Sequence, residues 1–233
     1  MTLTELIKKT YVYRVYHTHM LKKEAEYKIK RLHWFREEGE EMLNNFSKTL
    51  NDSGITYWLE FGTLLGYHRE HDFIKHDYDL DFGAFIKDAE RIRHSLTKDG
   101  FQLVHSFNAS DGGLEECYKY KHTTLDIFYF REDEYGLYCN SFSPCLYSIK
   151  EKLSRKRKCY VKKIYIPGKE FKKVEYKGCI VGVPVNIIEH LRMHYGKSFM
   201  IPNPNFDYKK EATNITYYDL SEVHGYVIIH GQK

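Results

Sequence analysis

Asp77-Tyr78-Asp79-Leu80-Asp81-Phe82 alternates an acid with an apolar or aromatic residue through three full periods. Strict alternation is the pattern of a β-strand, in which residues two apart share a face. The three carboxylates therefore line one side, and Tyr78, Leu80 and Phe82 the other. A step of two residues advances ~6.6 Å, so Asp79 and Asp81 can converge on one cation, while Asp77 falls about 13 Å from Asp81 and is expected at the rim. Like charges in a row repel, which a solvated acidic edge would tolerate. The flanking Leu80 and Phe82 and the apolar helix that follows point instead to burial. Closely spaced carboxylate oxygens suit Mg2+ or Mn2+, hard ions that also keep positions open for substrate phosphates.

Upstream, Thr56–Phe61 reads as a short strand running into Gly62, and Thr63–Arg69 as a brief helix. A glycine at that junction lets backbone approach a ligand, the helix start offers amide hydrogens, and Thr63 adds a hydroxyl. Arg69 is a candidate phosphate clamp or a surface charge. A polar loop follows at Glu70–His76, where His68, His71 and His76 crowd together. Farther back, Leu32, Phe35, Met42, Leu43, Phe46 and Leu50 form a helical stripe that stops near Gly54.

Downstream, Phe85, Ile86, Ala89, Ile92 and Leu96 make a helix closed by Gly100, followed by a strand at Phe101–Phe107 and a loop at Asn108–Gly113. Cys117–Tyr120 and Thr124–Phe130 pair as strands, and the second holds one acid, Asp126, between Leu125 and Ile127. A lone buried acid is costly unless paired or metal-bound, so Asp126 reads as a third metal ligand or a general base. Glu170–Tyr176 and Cys179–Val183 read as a hairpin. A last helix starts after Pro184, with Asn186 as cap and Gly196 as stop. Its His190 and His194, four apart, are expected as core or surface histidines; Glu189 beside His190 does not make HExxH. These elements define an α+β fold, a small mixed sheet with flanking helices, in one domain spanning 1–233 with a helical extension at 1–30.

The chain has 233 residues, 42% apolar and 29% charged, enough for a core and too ordered in composition for wholesale disorder. No run reaches the length of a membrane span, and the start does not read as a signal peptide. Five cysteines without a CxxC pair read as reduced thiols, which sets the expectation of a cytoplasmic protein or one resting on the inner face of a membrane. With 36 basic against 32 acidic residues, nucleic acid is not an expected partner. Charge is nevertheless uneven: Lys150–Lys163 holds eight basic residues and one acid, Glu151. This run reads as a solvated loop or helix face, or as a surface for phosphate-rich ligands or anionic lipid, with Lys156, Arg157 and Lys158 as its candidate acceptor or polyanion contacts. Tyr11–Lys30 reads as a surface helix, with membrane contact as the alternative.

A small glycine motif, a strand of alternating acids and a later strand with one more acid resemble the polymerase-β-like nucleotidyltransferase fold. More narrowly, Gly62-Thr-Leu-Leu-Gly-Tyr-His-Arg69, Phe73-Ile74 and Asp77–Asp81 resemble the LicD/fukutin family, and Leu125-Asp-Ile-Phe128 is similar to its "DIF" strand. Val183-Pro184, Leu191, Tyr195-Gly196 and Pro202 resemble its closing signature, so the likeness spans about residues 35 to 205. Departures are His76 for tryptophan, Lys75 for proline, Tyr78 for the middle acid and Asp72 for glycine, all flanking the donor pocket. The resemblance implies transfer of a phospho-substituent, such as phosphocholine or a polyol phosphate, from a CDP-activated donor to a glycan or glycolipid hydroxyl, with CMP leaving, in cell-surface polysaccharide or glycoconjugate synthesis. It implies Asp79 and Asp81 as the metal pair, Asp126 as third carboxylate, and Gly62, Thr63, Arg69 and Asp77 at the donor phosphates. Between Asp126 and Asp77 as proton acceptor, the apolar strand favours Asp126. Two further readings are a nucleotidyltransferase moving NMP from NTP to a small molecule, and a non-enzymatic polyanion-binding module.

Overall fold

The computed structural model describes residues 11–145, 147, 154–203, 205–219 and 221–231. The first ten residues of the expected extension, and Lys150, Glu151 and Lys152 of the basic run, lie outside them. The chain opens with α1 (Tyr11–Asp52), a single helix ~63 Å long that runs through residue 30 without a break. Residues 18 to 30 are exposed on every side, whereas Phe35, Met42, Leu43, Phe46 and Leu50 form the expected buried stripe. The helix stops at Gly54, whose φ of +63° is the left-handed conformation that closes helices.

Next come β1 (Tyr57–Leu59), α2 (Phe61–Glu70) and β2 (Asp79–Phe85). A 3-10 turn then leads into α3 (Ala89–Lys98). Strands β3 (Gln102–Ala109), β4 (Leu114–Tyr120), β5 (Thr123–Asp133), β6 (Gly136–Pro144) and β7 (Lys156–Ile166) follow. The hairpin β8 (Phe171–Tyr176) and β9 (Cys179–Pro184) turns at Lys177-Gly178, both at positive φ. After it come α4 (Ile187–Tyr195), the short α5 (Tyr208–Glu211), β10 (Ile215–Tyr217) and β11 (Gly225–Ile229).

The α+β class holds, but the sheet is not small: among the described residues nine strands join one sheet, apart from the β8–β9 hairpin. The pairing closes on itself, because β5, β4, β3, β11, β7 and β6 are joined in turn and β6 returns to β5. A closed ring removes the exposed edges that a long sheet would otherwise present. Strand β2 adds to β5 in parallel and β1 adds antiparallel to β2. The basic run is corrected from loop or helix face to strand: Lys156–Lys163 forms most of β7, between β6 and β11. Among the described residues, no helix is long and apolar enough to cross a membrane.

The core lies between the inner face of α1 and the faces of β2 and β5 that carry Leu80, Phe82, Leu125, Ile127 and Tyr129. Phe46 of α1 stacks on Phe82 at 4.0 Å. On the opposite face Trp58, wholly buried, stacks on Phe171 of the hairpin at 3.9 Å. That indole occupies the space over Gly83, where a Cβ would come within 2.3 Å of it. Gly83→Ala must therefore displace Trp58, and is expected to lower stability by about 3 kcal/mol in urea unfolding. An unchanged midpoint would show that the indole moves freely.

Candidate active site

Parallel pairing of β2 with β5 sets Asp81 directly opposite Asp126, and Asp79 opposite Thr124. Adjacent strands lie ~4.8 Å apart and paired residues point the same way, so the three predicted carboxylates share one face. Asp77 departs from expectation. It precedes β2 in a turn, its N–H donating to the Ile74 carbonyl. The turn swings its carboxylate inward, so that a methyl on Gly62 would lie 3.0 Å from Asp77 Oδ2 and 3.5 Å from Asp81 Oδ2. Asp77 is therefore beside Asp81 and not 13 Å along the strand from it. A side chain at residue 62 would crowd those two acids and require Asp77 to give way.

The start of α2 is fastened to Asp81 at three points. The Gly62 amide donates to Asp81 Oδ2 at 3.2 Å, the Asp81 amide donates to Thr63 Oγ1 at 2.8 Å, and the Glu60 amide donates to the Asp81 carbonyl at 3.0 Å. The Gly62 amide and the Thr63 hydroxyl thus hold the acid strand in place. Just before them Phe61 sits at φ +40°, a left-handed conformation costing about 1–3 kcal/mol in a residue with a side chain. Its ring is wedged between Phe128 at 4.6 Å and His194 at 4.9 Å.

One cation faces the acids from α1. Arg31 donates to Asp79 Oδ2 at 3.2 Å and to Thr124 Oγ1 at 3.1 Å while lying 3.9 Å over the Tyr78 ring. A single guanidinium cannot neutralise four carboxyls. Burial, then the Asp79, Asp126 and Asp77 charges, push Asp81 well above the ordinary carboxylate range. Burial and Asp79 push Asp126 up to about 7 and Asp77 up to about 6; burial also raises Asp79 against the pull of Arg31. An all-oxygen donor set that shares a face and carries too little counter-charge fits a divalent cation, which would take the place of the protons.

Two cavities flank this face. The larger, ≈ 510 Å³, is lined by Gly62, Arg69, His76 and Asp77 and closed by Tyr195 and Phe199. Arg69 is less free than a clamp would be, since it donates to Glu70 Oε1 at 2.7 Å and to the Phe199 carbonyl at 3.2 Å. The smaller cavity, ≈ 280 Å³, has Asp81 in its wall together with Phe61, Phe128, Ser141, Lys162, Tyr195 and Tyr208. Lys156, Arg157 and Lys158 line neither cavity; Lys156 Nζ lies over the Tyr226 ring at 3.9 Å. From the basic run, Lys162 is the residue brought to the acids. His76 lines the larger cavity, whereas His68 and His71 line a separate groove beside α4.

Sequence reasoning missed Arg31, Lys162 and Glu115. Burial pushes Glu115, beside Cys117 on β4, far up, and its Oε2 has no partner. Arg31 sits among other bases on a surface-like stretch, and nothing in the sequence marks it. Alternation along β7 would have separated Lys162 from its neighbours had the strand been recognised. His190 and His194 are both buried, as core histidines, although the expectation did not foresee their shared partner, Glu60.

A strand pair carrying convergent acids beside a strand-to-helix glycine junction defines a nucleotidyltransferase-like protein. The chain belongs to the LicD/fukutin family: the domain described as LicD/FKTN/FKRP, nucleotidyltransferase domain, matches residues 54–186. Ribitol-5-phosphate transferase FKTN of Macaca fascicularis and of Homo sapiens are each 31% identical to it over 178 residues, covering 76% of this chain and 36% of those proteins. The chain thus spans little more than a third of the length of these relatives. The solved structure of the lincosamide antibiotic adenylyltransferase LnuA, lincomycin-bound, overlaps 57% of this chain and 72% of its own at 15% identity and a TM-score of 0.35, too slight to place residues.

The acids give a signed pH prediction. Their folded pKa values exceed the unfolded value of about 4, so the folded chain holds the extra protons between about pH 4 and 7. Without metal, Tm is expected to fall as pH rises through that window, and Mg2+ to restore it at the alkaline end. Differential scanning fluorimetry with and without chelator checks this, and a flat metal-free profile contradicts it.

Proposed function

We propose that this chain is a metal-dependent transferase moving a phospho-substituent, such as a polyol phosphate, from a CDP-activated donor to a glycan hydroxyl. The observation that carries it is the convergence of Asp79, Asp81 and Asp126 on one face, with Asp81 in the wall of one cavity and Asp77 in the wall of another, in a chain of this family. The relatives are described as ribitol-5-phosphate transferases, which favours a polyol phosphate as the group moved. Asp79, Asp81 and Asp126 would hold Mg2+ or Mn2+. When bound, the ion supplies positive charge for the phosphates and lowers the pKa of a coordinated hydroxyl.

The chain's own residues do the rest. The larger cavity takes the donor, with its diphosphate beside Gly62, Thr63, Asp77 and the cationic edge of Arg69. Asp126, opposite Asp81 on the apolar strand β5, is the carboxylate proposed to accept the acceptor hydroxyl's proton. Tyr195 and Phe206 line both cavities, and this shared wall sets donor and acceptor at a fixed angle. The strand bases Lys156, Arg157 and Lys158 lie off this path, at a place suited to holding a long anionic acceptor or a membrane surface.

Thermal shift with CDP, ADP and ATP, each with and without Mg2+, tests the reading. A shift of roughly 5 °C with CDP plus Mg2+ alone supports it, whereas a shift with ATP alone points to nucleotidyl transfer. No shift with any nucleotide points to a polyanion-binding module. Asp79→Asn and Asp81→Asn should each cut CMP release from CDP-ribitol by about a thousandfold or more without unfolding the chain; full activity in either removes the metal pair. Neutralising Lys156, Arg157 and Lys158 together should weaken binding to anionic vesicles or acceptor and leave donor hydrolysis intact. Equal loss of both would move that strand to the donor site.

A further inference from the structure

We propose that Glu60, held by His190 and His194, is the positioning residue that aims the β1–α2 junction at Asp81. Glu60 is fully buried, and its carboxylate accepts from four N–H groups. Trp58 Nε1 donates to Oε2 at 2.7 Å; His190 Nε2 at 2.6 Å, His194 Nε2 at 3.1 Å and the Phe61 amide at 3.4 Å all donate to Oε1. The same residue's amide holds the Asp81 carbonyl, and two residues on the Gly62 amide holds Asp81 Oδ2. Glu60 therefore joins α4 to the acid strand through the left-handed backbone of Phe61.

A carboxylate with two histidines, their ligand atoms within 4.8 Å of one another, also has the composition of a zinc site. Proton positions oppose it. Asn214 Nδ2 donates to the Tyr165 carbonyl at 2.6 Å, which fixes the amide's orientation, and the same nitrogen lies 3.0 Å from His194 Nδ1. That ring nitrogen must accept, so the proton of neutral His194 sits on Nε2, where it points at Glu60 and blocks ligation. Burial lowers the His194 pKa further, against the opposing pull of Glu60, and so favours the neutral ring. His190 Nε2, 2.6 Å from the same oxygen, is a donor because a carboxylate oxygen only accepts, and its Nδ1 has no partner. Although burial opposes it, this ring of donors holds the Glu60 carboxyl well below the usual carboxylate range. The cluster is a fully ionised acceptor with its donors in place.

Phe61 explains what the cluster is for. Its left-handed backbone turns the Gly62 N–H toward Asp81, and its ring leans on His194. Loosening Glu60 lets Phe61 relax to negative φ and carries the Gly62 amide away from Asp81. The effect on turnover rests on the phosphotransferase reading, but the effect on the Gly62 amide does not.

The test uses three variants. Glu60→Gln sets an amide NH2 among donors. His190→Leu removes one donor while keeping bulk, and His190→Gln keeps a side-chain N–H where Nε2 was and loses only the partnerless Nδ1. In Glu60→Gln and His190→Leu, hydrogen-exchange protection of the Gly62 amide by 15N NMR should drop about tenfold or more while β5 core amides keep theirs. Mg2+ affinity by calorimetry should weaken about tenfold, and kcat for CMP release from CDP-ribitol should fall about 10–100-fold with donor KM nearly unchanged. His190→Gln should restore all three. Gly62 protection unchanged in Glu60→Gln, or His190→Gln as damaged as His190→Leu, overturns the assignment. So does stoichiometric zinc in the purified protein that chelator removes with loss of Gly62 protection. A wild-type chain that neither binds Mg2+ nor releases CMP defeats the phosphotransferase reading instead, and Gly62 protection still decides the role of Glu60.

Discussion

Four carboxyls, Asp77, Asp79, Asp81 and Asp126, are gathered where Arg31 and the more distant Arg69 do not balance them, and the molecule is organised around containing that repulsion. In water such a cluster would fly apart at small cost, but buried charges interact several-fold more strongly. Here the acids cannot separate, because Asp81 and Asp126 are fixed opposite each other by the backbone ladder of β2 and β5. Burial and mutual repulsion raise the carboxyl pKa values in the metal-free chain so that the acids hold protons, and a divalent ion would relieve the same tension more completely. The stored repulsion is thus a binding preference for cations, held in a rigid frame.

That frame comes from both ends of the sequence. The apolar stripe of α1 covers the Leu80–Phe82 and Leu125–Tyr129 faces and carries Arg31 to Asp79. The closed ring of β5, β4, β3, β11, β7 and β6 brings Lys162 and Ser141 around to the acidic face from far along the chain. Helix α4 then seals the back of the junction through His190 and His194. The residues at the centre have side chains that would be costly to bury alone, and each is tied to a different element. The site and the fold therefore stabilise each other.

The acidic strand, the glycine junction, the Asp126 strand, the β8–β9 hairpin and helix α4 were legible because each rests on local chemistry: alternation of period two, a turn glycine, a lone acid among apolar residues. What was misread followed from the same locality. Asp77 continues the alternation, so it looked like a strand residue, yet the chain turns before Asp79 and folds its carboxylate back toward Gly62. The β7 segment looked like a solvated charge run because lysines and arginines occupy both faces of a strand, one of whose hydrogen-bonding partners, β11, lies far along the chain. The sheet looked small because β6, β10 and β11 carry no pattern strong enough to announce themselves.

By itself the sequence determined which residues are chemically unusual: the acids of one strand, the glycine before them, the fourth acid in an apolar run. Side-chain type and period-two spacing are properties of a few adjacent residues, and they do not need the rest of the chain. Only the tertiary structure decided which of these groups face one another and what they are made to share. Arg31 and Asp79 are separated by 48 residues, and Glu60 and His190 by 130. Such pairs arise from the closure of the sheet and the packing of two distant helices upon it. Local chemistry carries no signal of that closure, because the energy that selects it is burial summed over the whole core.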